Sequence, residues 1–224
     1  VYLDTNSSPT TLVANDTSAL SYTPSVLLNG SKYYWKVVAT DSTGSKASSV
    51  MFFTIPITPP TPEWSYEMDD DGLTTATSQD GKYIVVGSKD DHVYLFQSNS
   101  STPIWKYDTG KNVNSVAISA DGWSIVAGSA NDDIMFWHRD SSTPVWEYDT
   151  GSDVLLVDIT ADGNYVVATN EAKRIYHFNT DDDTWDSYKY LWRDSTSYTV
   201  TGMSLADNGM SLSVAAGEKL YFID

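Results

Sequence analysis

Cysteine is absent from the 224 residues. That excludes disulfides, thiolate zinc sites, haem attachment through paired cysteines and a cysteine nucleophile. It does not separate cytosol from exterior, because large secreted β domains manage without bridges. Basic residues are scarce as well: 13 Lys and Arg stand against 30 Asp and Glu, a net charge of −17. So acidic a surface repels phosphate backbones, and no nucleic-acid partner is expected. No run approaches the ~18 apolar residues of a membrane span, and no signal peptide is visible. The chain opens at Val1 without an initiator Met, which reads as an internal segment of a longer precursor. Histidine occurs three times, and HExxH, GxSxG, P-loop and dinucleotide fingerprints are all missing. The expectation is a non-enzyme with no catalytic, cofactor-binding or metal-ligating set.

What the chain does have is aromatic residues (15 Tyr, 8 Trp), Ser, Thr and Asp. Aromatic and β-branched side chains suit a pleated surface, and Asp suits turns, where it hydrogen-bonds its own backbone. These residues recur. Thr61-Pro62-Glu63-Trp64-Ser65-Tyr66 returns as Thr102-Pro103-Ile104-Trp105-Lys106-Tyr107 and as Thr143-Pro144-Val145-Trp146-Glu147-Tyr148, 41 residues apart each time. Asp80-Gly81, Asp121-Gly122 and Asp162-Gly163 keep the same interval. A fourth, degraded copy has Trp192 and the turn Asp207-Asn208-Gly209.

One period reads as four short strands. In the second copy these are Pro103 to Tyr107, Val113 to Ser119, Trp123 to Ser129 and Ile134 to Trp137. Asp121-Gly122 reads as a tight hairpin, since an Asp-Gly pair adopts positive φ readily. Four strands in ~40 residues is the pattern of a β-propeller blade.

SVAISADGWSIVAGSANDDIMFW resembles a WD40 repeat, and TPIWKYDTG resembles the Trp-bearing strand of quinoprotein-type repeats. The resemblance runs from Thr61 to Asp224 and is of the divergent prokaryotic kind. Gly110-Lys111 stands where a Gly-His pair would be, and Phe96-Gln97, Trp137-His138 and Ile223-Asp224 replace the Trp-Asp end. The resemblance implies an all-β chain with four four-stranded blades over 63–224, continuing into a ring of six to eight. The phasing also allows the first strand to complete the last blade. Trp64, Trp105, Trp146 and Trp192 read as blade-to-blade packing, each burying on the order of 150–250 Å²; a sugar-stacking platform is the alternative.

Residues 1–56 resemble the C-terminal part of a fibronectin type III domain. Leu27, Gly30, Tyr33, Trp35, Val37 and Ala39 carry the resemblance, followed by a Ser42-Thr43-Gly44 turn and a last strand over Val50 to Ile55. Tyr33, Trp35, Val37 and Ala39 alternate toward one face, with Tyr33 at the tyrosine-corner position of such sandwiches. The missing first strands are expected upstream of Val1. Residues 57–62 are a Pro-rich linker, extended and semi-rigid.

His92, His138 and His177 would have to converge to hold a metal, and they read instead as single histidines on exposed blade edges. Asp69-Asp70-Asp71 and Asp181-Asp182-Asp183 lack the DxDxDG spacing of a calcium loop and read as solvated turns. Sequons begin at Asn6, Asn15, Asn29 and Asn99. The functional expectation is a structural or adhesive module of a prokaryotic, archaeal-type cell-surface or appendage protein. It would contact other surface proteins or copies of itself. A carbohydrate-binding or carbohydrate-active propeller is the alternative. A quinone-dependent dehydrogenase would need calcium ligands and a cofactor cradle that the repeats do not supply.

Overall fold

The computed structural model describes residues 1–15, 21–24, 27–28, 30–57, 61–180 and 190–224. These residues contain strands and no helix. The chain divides into two compact units, Val1–Pro62 and Glu63–Asp224.

In the first unit, β1 (Tyr2–Asp4), β2 (Lys32–Lys36) and β5 (Met51–Thr54) form one antiparallel sheet with β2 in the middle. A separate hairpin joins β3 (Val38–Asp41) to β4 (Gly44–Ala47). The alternation expected from Tyr33 to Ala39 therefore stops half-way. Tyr33 is buried and stacks on Phe53 at 5.7 Å, but Val37 and Ala39 are exposed. The break falls at Val37, whose N–H donates to the Ser48 hydroxyl (3.0 Å) rather than continuing the sheet. The Tyr33 hydroxyl accepts a hydrogen bond from the Leu28 N–H, 2.9 Å away and five residues upstream.

The second unit repeats one motif. Its first sheet has β6 (Gly72–Thr77), β7 (Tyr83–Ser88), β8 (His92–Gln97) and β9 (Trp105–Asp108). The second has β10 (Val113–Ile118), β11 (Ser124–Ser129), β12 (Asp133–His138) and β13 (Trp146–Asp149). The third has β14 (Val154–Ile159), β15 (Tyr165–Asn170), β16 (Arg174–Asn179) and β17 (Tyr190–Ser195). The fourth has three strands, β18 (Val200–Leu205), β19 (Leu212–Ala216) and β20 (Lys219–Ile223). All neighbours are antiparallel and in chain order, so each sheet is a simple meander.

The sequence repeat and the sheets are out of phase. The Trp-bearing strand β9 pairs with β8, before it in the chain, with Leu95 opposite Trp105 and Val93 opposite Tyr107. It closes the first sheet and does not open the second.

The core lies between sheets. Val85, Val93 and Leu95 of the first sheet meet Val113, Val116, Ile125, Ala127, Met135 and Trp137 of the second. Val126, Ile134 and Phe136 of the second meet Val154, Val157, Val166, Tyr176 and Phe178 of the third. Val167 and Ile175 meet Val200, Leu205, Leu212 and Val214 of the fourth. Both faces of the middle sheets are thus apolar, which is why their strands read as continuous hydrophobic runs. Gly87 and Gly128 let the sheets close up: a Cβ on Gly87 would stand 2.5 Å from Val113 Cγ1.

Candidate functional site: a rim of aspartate turns and an uncovered sheet edge

The turns between the first two strands of each sheet are built alike. The hydroxyl of Ser78, Ser119 or Thr160 donates to Asp80, Asp121 or Asp162 at 2.8, 2.7 and 2.6 Å. The same carboxylates accept the N–H of Lys82, Trp123 and Asn164. Only the glycine of each pair has positive φ, as at Gly81, Gly122 and Gly163. The Asp therefore does not take the positive φ of a two-residue hairpin. Its carboxylate cages the next N–H, and the Gly closes a hydrogen bond back to residue 78, 119 or 160. In the fourth sheet Asn208, not Asp207, holds this place: its side-chain oxygen accepts from Met210 N–H, before Gly209.

Successive turns are also tied together. Gln79 N–H donates to Ala120 O (3.0 Å), and Ala120 N–H to Ala161 O (2.9 Å). Between the first two lies a shallow, open depression of about 410 Å³ lined by Gln79, Asp80, Ala120 and Asp121. Beside it Arg139 stacks its guanidinium on Tyr83 at 4.2 Å and bonds Asp121 O, while Trp123, 37% exposed, stacks on His138. Hydrogen bonding and the ion pair to Lys82, 2.8 Å away, lower the Asp80 pKa to about 2. Burial pushes Asp121 up, but the Ser119 hydroxyl and the Trp123 N–H more than offset it, and the net shift is down. The turn carboxylates of Asp80, Asp121 and Asp162 are all held below the usual range, with the Lys82 and Arg139 cations beside the first two.

The opposite ends of the strands carry acids as well, Asp133 across from Asp149. Burial first, and then Asp149 and Glu147, raise Asp133; burial and Asp153 raise Asp132. Like charges crowd here, and Lys111 draws the Asp132 pKa only part of the way back. Even so, among the described residues no three His, Cys, Asp or Glu are placed to hold one metal ion. Asp70 and Asp71 turn beside Lys89, which pairs with Asp71 at 2.9 Å. Asp181-Asp182-Asp183 lie outside the described residues.

The histidines do not converge. His92 opens β8 opposite Asp108, whereas His138 ends β12 opposite Ser124, at the other end of the strands. His177 departs from the exposed-edge expectation. It is 3% exposed, stacked between Tyr165 and Trp192, with neither ring nitrogen in a good hydrogen bond. It fills the place that Leu95 and Phe136 hold in the sheets before it. A lone His in a strand pattern does not announce burial.

The repeated tryptophans sit at the sheet boundaries. Trp105 lies against Trp137 of the next sheet and donates its indole N–H to Arg139 O (2.9 Å). Trp146 is 6% exposed, between Phe136 of its own sheet and Phe178 of the next. Trp192 packs with the core shared by the third and fourth sheets. Trp64 lies on Phe96 and donates to Ser98 O (2.7 Å), although residues 63–67 belong to no strand. Of the sequon residues, Asn6, Asn15 and Asn99 are exposed, and Asn29 lies outside the described residues.

The feature least visible in the sequence is the last edge. Among the described residues β20 pairs only with β19, and Leu220 and Phe222 are 78% and 70% exposed. The equivalent Val93 and Leu95, and Ile134 and Phe136, are at most 1% exposed.

No protein-family model matches the sequence, and no curated protein matches it significantly. The fold is widely shared: 1527 chains of solved structures match, so architecture alone does not choose a function. One is a chain of the crystal structure of the mitotic checkpoint complex, with a TM-score of 0.57 and 19% identity. The match covers 68% of this chain and 50% of that one, so this chain spans about half that relative's length. At this identity the likeness shows the fold alone. The second unit is a propeller-like array of antiparallel sheets, three of them four-stranded and the last three-stranded.

Proposed function

We propose that this chain is a non-enzymatic extracellular module, structural or adhesive, of a prokaryotic and archaeal-type cell-surface or appendage protein. It works through protein–protein contacts. The observation that carries the reading is the row of like-built turns at Asp80, Asp121 and Asp162, tied to one another through Gln79, Ala120 and Ala161, which presents one surface along the ends of successive sheets. The finer assignments belong here too: four propeller blades over 63–224, and a fibronectin type III-like sandwich over 1–56. Supporting the second is the Tyr33 hydroxyl bonded back to Leu28. Residues 58–60 of the Pro-rich 57–62 lie outside the described residues, and the exposed sequons at Asn6, Asn15 and Asn99 suit an exterior setting.

A second reading, carbohydrate binding, is favoured by Trp123, half-exposed beside Asp121 and the rim depression. The two separate experimentally. The chain is immobilised and probed with archaeal and bacterial envelope fractions, either protease-treated or periodate-oxidised, and with a glycan array. Protein contacts predict binding that protease destroys and periodate spares. Binding lost to periodate, or an array signal abolished by Trp123→Ala, would establish the sugar reading instead.

A further inference from the structure

One row of side chains crosses each sheet on the face turned to the next sheet. In the first it reads Ala76, Val85, Leu95 and Trp105, and in the second Ala117, Val126, Phe136 and Trp146. In the third it reads Asp158, Val167, His177 and Trp192. Two apolar places have become ionisable, on a face that the fourth sheet covers. Val167 separates them by two strand spacings, ~10 Å, so Asp158 and His177 do not pair with each other. A third polar group lies on the same face. Thr169 stands where Gly87 and Gly128 let Val113 and Val154 press in. Its hydroxyl is buried without a partner, as are both His177 ring nitrogens.

The ties between sheets change at this junction too. Between the second and third sheets, Asn114 Nδ2 donates to Val154 O (2.8 Å) and the Val157 N–H to the Ser115 hydroxyl (3.1 Å). Ala120 N–H adds the rim bond to Ala161 O. In the third sheet Leu155 and Leu156 take the places of Asn114 and Ser115, and among the described residues the rim bonds stop at Ala161. The Asp158 carboxylate takes over, accepting the Leu205 N–H at 2.8 Å. A main-chain tie that no proton alters has been exchanged for one made by a titratable group.

We propose that the junction between the third and fourth sheets is an acid-opened seam, which parts while the other junctions stay shut and uncovers Val167, Ile175, Leu212 and Val214. His177 is the group that opens it. Closed, the seam keeps the ring neutral, since burial disfavours its charge and only the Gly209 backbone favours it. The titratable groups turned to the same seam are Asp158 on β14, Tyr165 on β15, Asp194 on β17, and Lys219 and Tyr221 on β20, with Asp207 near Asp158. None of them bonds the ring. An exposed histidine takes its proton near pH ~6.5, so below that value the open form binds more protons and gains. Asp158 acts in the opposite sense. Burial raises its pKa, so its charge burdens the closed seam at neutral pH, and the closed form gains only as pH falls through that raised value. The seam is weakest between the two titrations.

The chain has no cysteine, so a single introduced thiol reports which junction opens. Val214→Cys places one at the seam and Ala168→Cys places one between the second and third sheets, both at fully buried positions. Each full-length variant is labelled with a pyridyl disulfide, which reacts in acid as well as at neutral pH. Taking the ratio of the two rates cancels the loss of thiolate in acid. Between about pH 7.5 and about pH 5 the rate for Val214→Cys relative to Ala168→Cys should rise about tenfold or more. Adding His177→Phe or His177→Leu, the residue types of the second and first sheets, should abolish the rise. An unchanged ratio would show a seam that acid does not touch. Equal acceleration at both thiols would show the whole unit unfolding, and a rise that survives loss of His177 would show another trigger. Each of these three results would overturn the proposal.

Discussion

Trp105, on the outer strand of one sheet, donates its indole N–H to the main-chain oxygen of Arg139, just past the third strand of the next sheet, 2.9 Å away. The ring thereby joins two sheets: its backbone belongs to the first, while its face and its polar edge are satisfied by the second. Trp64 and Ser98 repeat the arrangement at the same 34-residue separation. A buried indole needs both an apolar bed and an acceptor, and this position supplies both.

Truncating the ring should therefore cost more than removing its hydrogen bond. Trp146→Ala, at 6% exposure, is expected to lose ~3–5 kcal/mol in urea unfolding. Trp105→Phe, which keeps most of the apolar bed and gives up the bond to Arg139, is expected to lose ~1 kcal/mol.

The turn glycines divide by what surrounds them. Gly122 and Gly151 have similar positive φ, 70° and 72°. A Cβ on Gly122 would stand 2.5 Å from Tyr83 Cδ2, but one on Gly151 meets nothing. Gly151→Ala should cost only the left-handed backbone strain, ~1–2 kcal/mol, and Gly122→Ala clearly more, measured by the same unfolding midpoint.

Burial lowers the pKa of His177, with only the Gly209 backbone acting the other way. The unfolded chain takes up a proton as pH falls through about 6.5, which the folded chain refuses until its lowered pKa is reached. Stability should fall across that window as pH drops, by at most ~1.4 kcal/mol per pH unit. His177→Phe, matching Phe136 in the sheet before, should remove this loss when unfolding is followed between pH 7 and 5.

Asp158 is raised chiefly by burial, against the N–H groups of Leu205 and Ile159 that it accepts. With a folded pKa above the unfolded one, its charge is a cost at neutral pH, and the cost disappears as pH falls. Asp158→Asn keeps one acceptor oxygen, for Leu205, without the charge, and gives up the weaker bond from the adjacent Ile159 N–H. It should raise stability at pH 7 by ~0.5–1 kcal/mol, with the gain vanishing at acid pH.

The sequence made the rhythm legible because the same contacts recur every 41 residues: a Trp, an Asp-Gly and two apolar runs. Strands in the second copy lie within a residue or two of where alternation puts them. Phase was not legible, since a periodic pattern cannot say which four neighbouring strands share hydrogen bonds. Trp105 looks like the start of a unit and is the end of a sheet. At the rim, Asp121 was legible as a turn residue but not as an acceptor for Ser119, because nothing in an Asp-Gly pair names the hydroxyl two residues before it. Val37 was misread for a related reason. Alternation continues through it, while the backbone leaves the sheet to bond Ser48. The burial of His177 depends on a neighbouring sheet, which no local pattern reports.

A double-mutant cycle between Trp146 and Phe178 tests most directly whether the repeated tryptophans wedge each sheet against the next. Their rings are 5.3 Å apart and lie on different sheets. The unfolding free energies of Trp146→Ala, Phe178→Leu and the double variant should reveal a coupling of ~0.5–1.5 kcal/mol. Additive effects, to within ~0.3 kcal/mol, would contradict it.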